Sequence, residues 1–104
     1  MSQQRLEALE AMLRRSPGDG RLRFALAAEY EKLGRFDDVV TQLRAYLART
    51  DDQGNAWGRL GHALFRLGRS ADAREAYARG VEAARAHGHP SMAAEFQEIL
   101  DQFD

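Results

Sequence analysis

Three histidines, His62, His87 and His89, are the side chains that could move a proton near neutral pH or ligate a metal. His87-x-His89 supplies two imidazoles. A zinc or copper site needs at least a third ligand, and none stands close by in sequence, so no metal is expected. The serines Ser2, Ser16, Ser70 and Ser91 lack a nearby His/Asp pair and read as turn or cap residues. The paired carboxylates Asp37-Asp38 and Asp51-Asp52 fall at expected helix ends, where the helix dipole and solubility account for them. The chain has no cysteine, which removes disulfides, thiolate nucleophiles and cysteine-ligated zinc. No glycine-rich phosphate loop is present. These residues assemble no catalytic constellation, and the expectation is a protein that is not an enzyme and takes no cofactor.

The remaining chemistry is recognition. Lys32 is the only lysine among the 15 basic residues, and the rest are arginines. Guanidinium groups grip carboxylates in bidentate fashion, although codon bias in a GC-rich bacterial genome is the simpler account of their abundance. A formal net charge of −1 exerts no general pull on nucleic acid or anionic lipid, so neither is an expected partner. With 44% hydrophobic and 30% charged residues in 104, the chain reads as one globular domain with a thin core. The opening MSQQRLEALEAMLRRS has no continuous apolar stretch of the kind a signal peptide needs, and nothing approaches a membrane span. The expected compartment is the cytoplasm.

The elements that must position these residues are helices. Leu6, Leu9, Met12 and Leu13 recur at helical spacing within Gln3 to Arg15, and Ser16-Pro17-Gly18-Asp19-Gly20 then breaks the pattern. A second helix is expected over Arg21 to Leu33, with Leu22, Leu26, Tyr30 and Leu33 on one face and Gly34 as its stop. The third opens at Phe36-Asp37-Asp38 and carries Val39, Val40, Leu43, Tyr46 and Leu47. Asn55 is placed to cap a fourth, which runs through Trp57, Leu60, Gly61, Leu64 and Leu67 to Gly68. The fifth begins near Ser70 or Ala71 and reaches Ala86, and Pro90 opens a sixth with Met92, Ala93, Phe96, Ile99, Leu100 and Phe103 as its apolar face. No segment alternates with period two over strand length.

The helices repeat. Leu26 and Leu60, Ala27 and Gly61, Tyr30 and Leu64, Leu33 and Leu67, Gly34 and Gly68, Val39 and Ala73, and Leu43 and Tyr77 all stand 34 residues apart. The stretch Trp57-x-x-Leu60-Gly61-x-x-Leu64 followed by Ala73-x-x-x-Tyr77 resembles the tetratricopeptide repeat, whose period is 34. The resemblance implies an all-α superhelix of αα-hairpins with about six helices. These are a half repeat at 1–19, full repeats at 20–53 and 54–87, and a C-terminal capping helix at 90–103. Pro17 falls one period before Asp51, at a place the family often gives to proline. The chain departs from the family at Arg23, which stands opposite Trp57 in the repeat frame, and at Glu95, where a small residue belongs. In this fold Trp57 and Tyr77 are expected to fill space between repeats, and Gly61, Ala27, Ala73 and Gly80 to admit close helix approach.

The resemblance also implies a function: non-catalytic binding of a peptide or protein segment, which in this family usually lies in a concave groove lined by the first helix of each repeat. The groove positions would be Arg21, Phe24, Ala28, Glu31 and Lys32 in the first repeat. In the second they would be Asn55, Gly58, Arg59, His62, Phe65 and Arg66. Phe24 and Phe65 are candidate anchors, because the fold requires no large apolar side chain there. The alternative is that they pack beneath the N-terminal and capping helices. Arg21, Arg59 and Arg66 suit an acidic or C-terminal segment, or else form a solvated face. The lysine/asparagine carboxylate clamp that some members use for chaperone tails is not reproduced, since Phe24 and Ala28 occupy the corresponding places. A second reading is a self-associating subunit that pairs copies through Leu6, Leu9 and Leu13, so the expected state is a monomer or a weak homodimer.

Overall fold

The computed structural model describes residues 2–103. Its regular structure there is entirely helical: α1 (Ser2–Arg15), α2 (Gly20–Lys32), α3 (Phe36–Leu47), α4 (Asn55–Arg66), α5 (Ser70–Ala86) and α6 (Pro90–Asp101). The chain divides into two compact units, one ending at Thr50 and the other beginning at Asp51.

In the first unit α1 packs on α2, and α2 on α3. Leu6 and Leu9 are buried, as are Leu26, Ala27 and Tyr30 of α2 and Val39, Val40 and Leu43 of α3. Met12 lies exposed although the sequence places it on the apolar face. At 3.6 residues per turn it sits about 120° round the helix from Leu6, off the strip that meets α2. Leu33 is exposed as well, because it forms the C-cap of α2 after the helical stripe has ended. Of the three leucines expected to pair two copies, Leu6 and Leu9 are buried within the unit and Leu13 is half-buried.

Two polar clusters hold this unit. Glu29 is only 4% exposed, and its carboxylate accepts hydrogen bonds from Arg5 Nε at 3.1 Å and Lys32 Nζ at 3.3 Å. Burial pushes the Glu29 carboxyl up, but Lys32 and Arg5 outweigh it and hold the group below the ordinary glutamate range. The Tyr30 hydroxyl donates to Glu10 at 2.6 Å, and the Arg35 guanidinium lies 4.8 Å from the ring centroid. Burial first, and then the Glu10 carboxylate, raise this hydroxyl to about 12. The sequence pattern marked Tyr30 as apolar core and did not single out Glu29.

The turn after α2 and the turn after α4 have one geometry, as their 34-residue spacing predicts. Gly34 has φ +72° and Gly68 φ +78°. Gly34 N–H donates to Glu31 O and Arg35 N–H to Tyr30 O; Gly68 N–H donates to Phe65 O and Arg69 N–H to Leu64 O. This pairing closes the helix end through one left-handed residue, which glycine adopts without the Cβ clash that other residues meet.

In the second unit α5 packs against both α4 and α6. Ala56, Leu60, Ala63 and Leu64 of α4 are buried, and so are Ala73, Ala76, Tyr77, Val81 and Ala84 of α5. Gly61 works as expected: a Cβ there would stand 2.8 Å from the Tyr77 ring. Phe96 of α6 is the wedge that the sequence did not reveal. Its ring reaches α4 at Gly58 and α5 at Gly80, where a Cβ on either glycine would collide with it, and it lies 5.8 Å from the Tyr77 ring. Met92, Phe96 and Leu100 extend this packing over Val81, Ala84 and Ala93. Trp57 is only half-buried, with the Arg79 guanidinium 5.5 Å from its ring centroid.

The start of α4 corrects a second expectation. Asn55 is the first helical residue and not the cap. Asp52, only 9% exposed, caps the helix from two residues before Gly54, accepting from Gly54 N–H at 2.8 Å and Ala56 N–H at 2.9 Å. Its carboxylate satisfies donors that the helix leaves open, so this aspartate is structural and does more than favour solubility.

Candidate functional site

The residues expected to face a partner fall on one stripe of α2, in the first unit, and one stripe of α4, in the second. On α2, Arg21, Phe24, Ala28 and Lys32 recur at spacings of three or four. Arg21 projects into solvent beside Asp19, whose side chain caps the helix by accepting from Arg21 N–H at 2.9 Å. Phe24 is half-buried and meets Tyr46 of α3 edge-on at 5.2 Å. Ala28 is half-buried, and exposed Lys32 bonds Glu29. Three of these four side chains therefore have partners within the unit: Arg21 in the Asp19 carboxylate at 3.7 Å, Phe24 in Tyr46, and Lys32 in a buried carboxylate.

On α4, Asn55, His62, Phe65 and Arg66 are exposed and Arg59 is half-buried. Gly58, expected to line the same groove, is buried beneath Phe96 of α6. The helix carries Arg59 and Arg66 and no aspartate or glutamate, whereas each of the other five helices holds at least two carboxylates. Phe65 is 55% exposed, the most exposed large hydrophobic residue among those described. It lies next to a pocket of about 470 Å³ lined by Phe65, Ser70, Arg74, Tyr77, Ile99, Gln102 and Phe103. The last turn of α4, the first half of α5 and the end of α6 meet there. Phe103 is 5.9 Å from the Phe65 ring and 6.2 Å from the Tyr77 ring, both nearly edge-on, and the Arg74 guanidinium is 5.6 Å from its centroid. Phe65 is thus bordered by the chain end rather than buried beneath α6. Burial raises the Tyr77 hydroxyl above its ordinary value. Sequence pattern marked Tyr77 and Phe103 as scaffold and passed over Ser70, Arg74, Ile99 and Gln102 as site residues. Their convergence depends on three helix ends meeting, which no local spacing records.

The histidines also have definite places. His87 Nε2 is 3.4 Å from Asp51 Oδ2, and His89 Nε2 shares a 2.6 Å hydrogen bond with Gln53 Oε1. Together they tie the loop between α5 and α6 to the segment that precedes α4. Among the described residues no three histidines, aspartates or glutamates are grouped to hold a metal, and no helix is long and apolar enough to cross a membrane.

The bacterial transcriptional activator domain family matches residues 1–87. The chain belongs to that family. Its fold is of the tetratricopeptide type, so the family expected from the 34-residue period holds, and so does the all-α hairpin architecture. A TPR repeat-containing protein of Pseudomonas aeruginosa is 28% identical over 99 residues, covering 95% of this chain and 94% of that one. The small glutamine-rich tetratricopeptide repeat-containing protein 2 of Mycosarcoma maydis is 39% identical over 56 residues; the match takes in 54% of this chain and 16% of the fungal protein. A protein of Bordetella parapertussis, solved in solution, superimposes with a TM-score of 0.78 at 35% identity, covering 94% of this chain and 85% of its own. The part of this transcriptional activator domain that the family match covers ends before α6, so Ile99, Gln102 and Phe103 of the pocket lie beyond it. Membership, together with the tetratricopeptide relatives, makes protein–protein interaction the general role.

Proposed function

We propose that this protein binds an acidic segment of a partner protein, without catalysis, through one stripe of α4: Asn55, Arg59, His62, Phe65 and Arg66. The stripe of α2, Arg21, Phe24, Ala28 and Lys32, is the corresponding surface of the first repeat. One observation carries the reading. α4 is the one helix that has cations and no carboxylate, and it displays a phenylalanine that is 55% exposed. An exposed aromatic beside guanidinium groups offers both the area and the charge that anchor residues supply at interfaces. The α2 stripe is the weaker half, since Phe24 and Lys32 also serve the fold of their own unit.

Affinity capture with the full chain tests this. Partners recovered by the wild type should be lost with Arg59→Glu/Arg66→Glu, and recovery should fall as salt rises, because exposed charges are screened. Equal recovery by both proteins at all salt concentrations would rule out the α4 stripe.

A further inference from the structure

We infer that the pocket where the ends of α4, α5 and α6 meet is a docking socket for a bulky apolar side chain that a partner segment carries between carboxylates. The inference rests on the α4 reading above and names the feature of the partner that the site selects.

The socket has the proportions and chemistry of a binding pocket. Its volume of about 470 Å³ lies within the range of sites that enclose a bound group. Phe65, Tyr77, Ile99 and Phe103 make the walls apolar, and Ser70, Arg74 and Gln102 supply the polar groups. The three rings present edges and faces to one another at 5.9 and 6.2 Å, which leaves a surface suited to an inserted aromatic ring. Phe65 meets Phe103 edge-on in this wall and turns over half of its surface to solvent. That exposed area is what an incoming side chain would cover.

Charge selects the flanking residues. Arg74 is the sole charged residue of the lining, and the helix that brings Phe65 to the pocket has two arginines and no carboxylate. Arg66 is the next residue in the chain after Phe65, and Arg59 lies two helical turns before it. A segment that places its ring in the socket would run its neighbouring residues past guanidinium groups. Aspartate or glutamate is favoured at those places, and lysine or arginine is repelled.

Fluorescence anisotropy with labelled dodecapeptides supplies the test. The probes share a Gly/Ser background and differ in the core: Glu-Trp-Glu, Glu-Ala-Glu or Lys-Trp-Lys. The wild type should bind the first at least about tenfold more tightly than either of the others. Ser70→Trp, which fills the socket, and Phe65→Ala should each weaken that binding by about tenfold, and Arg74→Gln should shrink the preference for Glu over Lys. All three positions are exposed, and circular dichroism melts check that the variants stay folded. Equal affinities for the three probes, or no binding of any, would overturn the socket. Loss of binding in Arg59→Glu/Arg66→Glu with full binding in Ser70→Trp and Phe65→Ala would leave the α4 stripe standing and remove the socket alone. Two other occupants would also displace the proposal: a wild-type dimer that Ser70→Trp dissociates in sedimentation, or N-acetyl-phenylalanine competing as strongly as the Glu-Trp-Glu peptide.

Discussion

At the residue scale, buried polar groups separate scaffold from surface. Asp52 follows Asp51 in a stretch that reads as solvent-facing, yet its carboxylate takes two backbone N–H groups at the start of α4. Asp52→Ala leaves those donors without this partner and should cost about 1–2 kcal/mol, the usual loss for a helix cap. Asp52→Asn keeps an acceptor and should cost less than half as much. Urea denaturation checks both, and equal midpoints for wild type and Asp52→Ala would show that the cap contributes nothing. Trp57 moves the other way. Sequence comparison makes it the signature residue of the repeat, but it is half-buried with Arg79 across its ring. Its truncation should therefore fall below the roughly 3–5 kcal/mol of a fully buried tryptophan.

At the scale of elements, glycines decide how close helices come. Gly61 admits the Tyr77 ring between α4 and α5, and Gly58 and Gly80 together admit Phe96 from α6. Gly58→Ala removes a helix-weakening glycine, which by propensity alone should stabilise α4 by about 1 kcal/mol. The added methyl must displace Phe96, and overpacking of that kind costs about 1–3 kcal/mol. The collision should win, so the variant should melt below the wild type, and the double variant Gly58→Ala/Phe96→Leu should recover part of the loss. A higher melting temperature for Gly58→Ala would mean that α6 does not press on α4 through Phe96. The same wedge explains why Gly58 leaves the candidate binding stripe while Phe65, two turns further on, remains in it.

At the scale of the whole molecule, pH acts through the two polar clusters of the first unit. The Glu29 carboxyl is depressed, so its contribution to stability is complete above the ordinary glutamate value and is lost as pH falls through the lowered one. The Tyr30 hydroxyl is raised to about 12. Its contribution is complete below the ordinary tyrosine value of about 10 and is lost as pH climbs through the raised one. The melting temperature should thus fall at both extremes, with a shallower acid limb in Glu29→Gln and a shallower alkaline limb in Tyr30→Phe. Limbs that match the wild type would assign the losses to other groups. The order of six helices, the glycine-closed turns after α2 and α4, and the tetratricopeptide type were legible in the chain. Helical periodicity and left-handed glycine stops are local properties, and a 34-residue period repeats them: Gly34 and Gly68 close their helices in the same way. Burial of Glu29, capping by Asp52 and the Phe96 wedge were not legible. Neither was the meeting of Phe65, Arg74 and Phe103 around one pocket. The burial of Glu29, the Phe96 wedge and the pocket join residues from different parts of the chain, and helix packing sets those distances. Asp52 acts locally, on N–H groups two and four residues on, where an acidic pair before a helix reads equally well as solvated charge. Sequence placed an aromatic and two arginines on α4; tertiary structure decided that Phe65 stays open to solvent and that an apolar socket stands beside it.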